Sequence, residues 1–247
     1  MEKLIEVNGL CKRYKDFHLE NITFSLARGS VMGLIGPNGA GKTTTIKSLL
    51  GMVLPDAGSV RLFGHDASGS PGTFKHKIGM VMDAPFFVYD WTLADVEKVM
   101  KIFREDWDGA AYSNLLEKFE LDKTKKVKNL SRGMEMKLMV AVALSYNTEL
   151  LILDEPTSGL DPVARNELME MLREYVKDKN RGVLFSTHIT SDLEKTADCV
   201  TFVNGGQLLF TGTTADLLKH FSEEVFGKPA DLDEIIIHMS KGGVGYA

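Results

Sequence analysis

Three uninterrupted apolar runs stand out along the chain: Val31-Met32-Gly33-Leu34-Ile35, Leu150-Leu151-Ile152-Leu153 and Gly182-Val183-Leu184-Phe185. Short runs without polar alternation predict buried strands of a parallel sheet. The N-terminal texture differs. Leu4-Ile5-Glu6-Val7 is followed by Ile22, Phe24 and Leu26 alternating with polar residues, which predicts antiparallel strands with one face exposed. A turn at Leu54-Pro55-Asp56-Ala57-Gly58 leads to a strand through Val60 and Leu62, and Ile78-Gly79-Met80-Val81-Met82 predicts another. Thr43 to Leu50 has the spacing of a helix, with Ile46, Leu49 and Leu50 on one face.

From about Ala84 the period becomes helical. Thr92 caps a segment with Leu93, Val96, Met100 and Phe103 on one stripe. Leu115, Leu116 and Phe119 mark a second helix, and a third starts near Ser131 with Leu138, Ala141, Val142 and Leu144. Beyond Leu153, Asp161-Pro162 opens a helix and Ser191-x-x-Glu194 reads as a capping box. Asn204-Gly205-Gly206, between Val200–Val203 and Gln207–Phe210, marks a hairpin. The tail from Thr213 predicts no definite element. The pattern thus predicts an α/β fold in which residues 1–84 and 147–212 form a mostly parallel sheet flanked by helices. An N-terminal antiparallel β subdomain belongs to that core, residues 85–146 are a helical insertion, and 213–247 are a tail.

With 247 residues, 44% of them hydrophobic, the chain can bury a large core. A net charge of −5 and a pI near 5.7 argue against a nucleic-acid surface. The four lysines within 123–128 form either a local basic patch or a solvated loop. The two cysteines, Cys11 and Cys199, match no metal or redox spacing and suit a reducing cytoplasm. No leader-like start and no membrane-length apolar run is evident, so any membrane association is expected to go through a partner.

The chemistry centres on Gly36-Pro37-Asn38-Gly39-Ala40-Gly41-Lys42-Thr43-Thr44, which fits the phosphate-loop pattern G-x-x-x-x-G-K-[ST] without a mismatch. A Gly-rich loop that only turns a strand into a helix is the plainer alternative. Strand, loop, Lys-Thr and helix in register favour nucleotide binding: glycines let N–H groups converge on phosphate, Lys42 reaches the β- and γ-phosphates, and the Thr43 hydroxyl holds Mg²⁺. A second strand end completes such a site. Leu150–Leu153 runs into Asp154-Glu155, where Asp154 binds the metal and Glu155 orients or deprotonates the attacking water. Tyr14, in the link between the first two strands, is placed either to pack or to stack on a base.

Together these elements resemble the ATP-binding cassette (ABC) ATPase family over nearly the whole chain, which implies a P-loop NTPase core. Leu130-Ser131-Arg132-Gly133-Met134 is similar to the signature L-S-G-G-Q, and Ser158-Gly159-Leu160-Asp161 to the D-loop. His188, after Phe185-Ser186-Thr187, matches the switch histidine, and Tyr14 the aromatic residue stacked on adenine. The resemblance implies two subunits enclosing two ATP molecules, with Ser131 and Gly133 of one facing the γ-phosphate held by the other. Two departures stand out. Asp83 replaces a Gln that bridges to Mg²⁺, and Arg132 and Met134 replace the signature's first Gly and its Gln. Ala84-Pro85-Phe86-Phe87-Val88-Tyr89-Asp90-Trp91 falls where the family receives a helix of its membrane subunit, so some rings are expected to pack and others to line an apolar groove. The implied protein is a cytoplasmic ATPase subunit seated on a membrane permease; the Ser131-Arg132-Gly133-Met134 variant, Asp83 and the ending Leu232-Asp233-Glu234-Ile235 with Ser240-Lys241-Gly242-Gly243 are similar to bacterial exporters of antibiotic peptides, lipids or polysaccharides. A soluble cassette ATPase acting on ribosomes or nucleic acid, or a P-loop kinase, is the alternative.

Overall fold

A computed structural model describes residues 2–67, 73–83, 86–222 and 226–240. Two long strands, β1 (Lys3–Arg13) and β2 (His18–Ala27), pair antiparallel, and β3 (Val31–Ile35) leaves them to enter a parallel set. β4 (Ala57–Leu62) and β5 (His65–Asp66) return to the antiparallel edge. β6 (Ile78–Val81), β7 (Leu150–Leu153) and β8 (Gly182–Thr187) run parallel with β3. β9 (Cys199–Asn204) flanks β3 on its other side, and β10 (Gln207–Thr213) folds back on β9 through the predicted hairpin. One parallel pair, Gln207 with Glu20, joins the two parts into a sheet ordered β5-β4-β1-β2-β10-β9-β3-β8-β7-β6.

Alternate residues of the parallel strands face opposite cores. Leu150, Ile152 and Leu184 pack on one side with Ile46 and Leu49 of α1 (Lys42–Leu49). Leu151, Leu153, Val183 and Phe185 pack on the other. All seven strand residues are fully buried, and each such side chain contributes about 1.5–3 kcal/mol of hydrophobic stabilisation. The second core is covered by α5 (Pro162–Tyr175), and it takes in Leu193 of α6 (Thr190–Thr196), Leu217 of α7 (Thr214–His220) and Leu232 and Ile235 of α8 (Leu232–Ser240). The stretch beyond Thr213, which reads as mixed in the sequence, therefore contributes helices to the main core. The capping box expected at Ser191-x-x-Glu194 is not formed. The helix starts earlier, at Thr190, because the Thr187 hydroxyl takes the Ile189 N–H (3.0 Å) and buried Asp192 accepts from Thr157 (2.7 Å) and Thr187 (3.2 Å), leaving Ser191 as an exposed second helical residue.

Between β6 and β7 lie α2 (Leu93–Phe103), α3 (Gly109–Lys118) and α4 (Arg132–Ala143). Thr92 caps α2 in a full capping box with Asp95, and Ser131 caps α4. Leu93, Val96, Tyr112, Leu116 and Leu138 form a separate cluster. Phe103 does not join the stripe as expected. Cover ends at half-buried Met100, and Phe103, in the last turn, is 73% exposed. The lysines of 123–128 are engaged: Lys123 by Glu97, Lys126 and Lys128 by Asp90, and Lys125 by the Met134 sulfur. Ala84 and Pro85, and residues 241–247, lie outside the described residues. Among the described residues no helix is long and apolar enough to cross a membrane.

Candidate nucleotide site

β3, β8, β7 and β6 are neighbours in the sheet, and their registers, Ile35 with Thr187, Phe185 with Leu153 and Leu153 with Val81, bring their C-terminal ends to one edge. Ligands of open parallel sheets bind at this edge. It collects Gly36 after β3, His188 after β8, Asp154-Glu155 after β7 and Asp83 after β6.

The 36–44 loop turns from β3 into α1 under tight steric limits. A Cβ on Gly36 would lie 2.0 Å from the Val203 carbonyl oxygen, so no side chain fits there. Gly41 has φ of 111° and sits against Leu19 and Phe17, a backbone that only glycine adopts readily. Ala40 donates to the Pro37 carbonyl (3.1 Å) and accepts from the Gly206 N–H (3.1 Å), which braces the turn from the β9–β10 hairpin. Pro37, Asn38 and Gly39 stay exposed at its crest, and Thr43 is exposed at the first turn of α1, with Thr44 half-buried beside it.

Lys42 is 5% exposed, and its ammonium donates to the Gly36 carbonyl (2.7 Å) and the Pro37 carbonyl (3.2 Å). It also lies 3.0 Å from Glu155 Oε1. The other oxygen of that carboxylate is 2.8 Å from His188 Nδ1. Lys42, Glu155 and His188, widely separated in sequence, thus form one chain of contacts. Glu155 has φ of 49°, a left-handed backbone costing about 1–3 kcal/mol that persists only where its surroundings hold it.

Ser186 does that holding, and the sequence reading missed it. Its buried hydroxyl accepts the Glu155 N–H (2.8 Å) and donates to Asp154 Oδ1 (2.6 Å). The signal was a hydroxyl directly after the apolar run Gly182 to Phe185, two residues before His188. Asp154 is 3% exposed, and Ser186, its hydrogen-bond partner, is neutral. A buried carboxylate so placed suits a cation, so Asp154 fits magnesium. Among the described residues no cluster of three or more His, Cys, Asp or Glu could hold a metal, so such an ion must draw further ligands from nucleotide and water.

Other candidates sit apart. Tyr14 is 43% exposed, its ring 5.9 Å from the Lys12 ammonium, whereas Phe17 of the same link contacts Gly41. The Ser131 hydroxyl accepts the Met134 N–H (3.3 Å) as the cap of α4. Among the described residues no hydrogen bond joins Tyr14, Ser131 or Gly133 to the 36–44 loop. Asp83, 70% exposed, bonds Arg132 (2.7 Å). Asp161 caps α5; the Ala164 and Val163 N–H groups hold its carboxyl below the usual range. Gly133 has no steric need to be glycine within the chain, since a Cβ there would meet only Ala164 and Leu160 at 3.6 and 3.9 Å.

A groove of about 350 Å³ opens away from this edge, where the start of β6 and the end of α1 meet α2 and α4, and it is lined by Leu49, Met52, Ile78, Phe86, Phe87 and Met139 among others. The aromatic stretch divides: Phe87 packs against both the main core and the insertion cluster, while Phe86 and Tyr89 are each 62% exposed.

The sequence profile of the ABC transporter family matches residues 19–158. The chain is 34% identical over 226 residues to the Nod factor export ATP-binding protein I of Ralstonia nicotianae, covering 88% of this chain and 69% of that one. It is 32% identical over 222 residues to the bacitracin transport ATP-binding protein BcrA of Enterococcus faecalis, covering 89% and 72%. Among solved structures, the ATP-binding subunit of an ABC transporter superposes with a TM-score of 0.84 at 30% identity, covering 96% and 99%. With a phosphate loop, two acids and a histidine gathered at one sheet edge, and these relatives over most of its length, the chain belongs to the ABC transporter family as an ATP-binding subunit.

Proposed function

We propose that the chain hydrolyses ATP with magnesium as one of two subunits beneath a membrane permease, and that the transport it drives is export. The contact chain Lys42–Glu155–His188 at the strand ends carries this reading. Loop N–H groups and Lys42 hold the phosphates, Lys42 exchanging the Gly36 and Pro37 carbonyls and Glu155 for phosphate oxygens. Glu155 accepts a proton from water as its oxygen bonds the γ-phosphorus and the bond to the bridging oxygen breaks, leaving ADP and phosphate. His188 fixes the Glu155 carboxylate and faces the γ-phosphate. Thr43, Asp154 and Asp83 are the residues that would hold magnesium, which when bound neutralises phosphate charge.

Three observations support the wider reading. Gly133, in the first turn of α4, lowers helix stability by about 0.5–1 kcal/mol relative to Ala without a steric reason inside the subunit, which suits close approach of a ligand held by a second subunit. The largely apolar groove at Phe86 suits a permease helix, seating the subunit on the inner membrane face. The names of the relatives, Nod factor export and bacitracin transport, favour export. The nucleic-acid alternative gains nothing from Lys123, Lys126 and Lys128, which are paired with acids. Glu155→Gln tests the reading: with magnesium and ATP it should sediment as a dimer and release no phosphate. Single particles alone at saturating nucleotide would refute the two-subunit site, and undiminished phosphate release would refute the role of Glu155.

A further inference from the structure

We propose that Arg132 and Asp83 act as one unit, in which the guanidinium ties the start of α4 to the end of β6 and competes with the metal of the bound nucleotide for the same carboxylate. The inference rests on the nucleotide reading above. Arg132 is the first residue of α4, and its Nη2 lies 2.7 Å from Asp83 Oδ1. A second nitrogen is 3.7 Å from Glu135, and the aliphatic stem lies beneath Gly159, 3.6 Å from where a Cβ would stand. One side chain therefore touches the turn after β7 and the end of β6 together.

Asp83 is placed for the competing task. It lies two residues after Val81, whose carbonyl accepts the Asp154 N–H at 2.9 Å, so the two acids leave neighbouring strand ends. Both partners stand where the family resemblance has uncharged residues, and each departure supplies the charge the other lacks. An oxygen bonded to a guanidinium has fewer lone pairs for a divalent ion, and the positive charge beside it repels that ion. Metal ligation by Asp83 and its bond to Arg132 therefore oppose one another. With Asp83 70% and Arg132 28% exposed, the pair is solvated, and such pairs bias an equilibrium only about 1.4- to 5-fold. The tie is a bias that metal binding can overcome, and opening it frees the start of α4 from β6.

Titration of the full chain with a fluorescent ATP analogue, in magnesium and in EDTA, tests this. Arg132→Met should tighten magnesium-dependent affinity by up to about 5-fold and leave the EDTA affinity unchanged. Raising NaCl from about 50 to about 500 mM should reduce the difference between wild type and Arg132→Met, because salt screens an exposed pair. In an Asp83→Asn background, Arg132→Met should add nothing. Equal or weaker affinity of Arg132→Met in magnesium, or an equal gain in EDTA, would overturn the inference while leaving the nucleotide site intact. Failure of wild type to bind the analogue under either condition would overturn both. A melting temperature for Arg132→Met confirms that the half-exposed substitution leaves the fold in place, and the salt series on wild type needs no variant.

Discussion

Replacing Ser186 by Ala removes one oxygen and breaks two bonds at once. The Asp154 carboxylate loses a 2.6 Å partner and the Glu155 N–H loses its acceptor, both beside a fully buried position. A hydrogen bond to a charged group is worth about 1.5–3 kcal/mol and an orphaned buried N–H costs about 1–3 kcal/mol. The two overlap, so the loss should be about 2–4 kcal/mol, which for a chain of this size lowers the melting temperature by roughly 4–16 °C. The left-handed backbone at Glu155 also loses its tether. Turnover should therefore fall while affinity for the nucleotide phosphates, set by the loop, holds. Ser186→Cys keeps the volume with a weaker donor and should fall between the two, separating lost bonds from lost packing. Scanning fluorimetry and phosphate release against magnesium give both readouts. A melting temperature within about 1 °C of wild type, with kcat unchanged, would refute the role of Ser186.

Two further outcomes follow from exposed and capping residues. Phe86→Ala with Tyr89→Ala should leave melting temperature and basal phosphate release unchanged but abolish co-purification with the membrane subunit, since both rings are exposed; retained co-purification would remove the groove from docking. Phe87 is the wrong choice for that test because it packs against two cores. The Thr92 hydroxyl, then Lys98 and the Thr92 N–H, hold the Asp95 carboxyl well below its ordinary 3.8. A lowered folded value means that the stabilisation is present above about pH 3.8 and is lost as pH falls through the folded value. Asp95→Asn should therefore melt below wild type at neutral pH, with the gap narrowing in acid; a gap constant with pH would contradict the box.

The parallel strands were legible because Leu150–Leu153 and Gly182–Phe185 carry their burial in local composition. The helix starts at Thr92, Ser131 and Asp161 were legible because capping is local too. Ser191 misled because Thr187 and Asp192 compete for the same helix start, through bonds that sequence spacing does not reveal. The phosphate loop is a contiguous pattern and was read whole. Ser186 became visible only when β7 and β8 were placed side by side, and Phe17 only when Gly41 was seen against it. Arg132 and Asp83, both singled out as departures, gave no hint of their bond across 49 positions.

α4 is buried on two sides. Leu138, Ala141 and Val142 face the insertion cluster, and Met136, Met139, Val140 and Ala143 face or join the main core. Its 12 residues make a rod about 18 Å long. Met139, Val142 and Ala143 near its far end line the groove beside Phe86, while its near end carries Ser131 and Arg132. A stiff element clamped this way transmits a push along its axis rather than absorbing it by bending. Pressure from an object seated between Met52 and Phe86 would thus arrive a full helix length away, at the contact with Asp83.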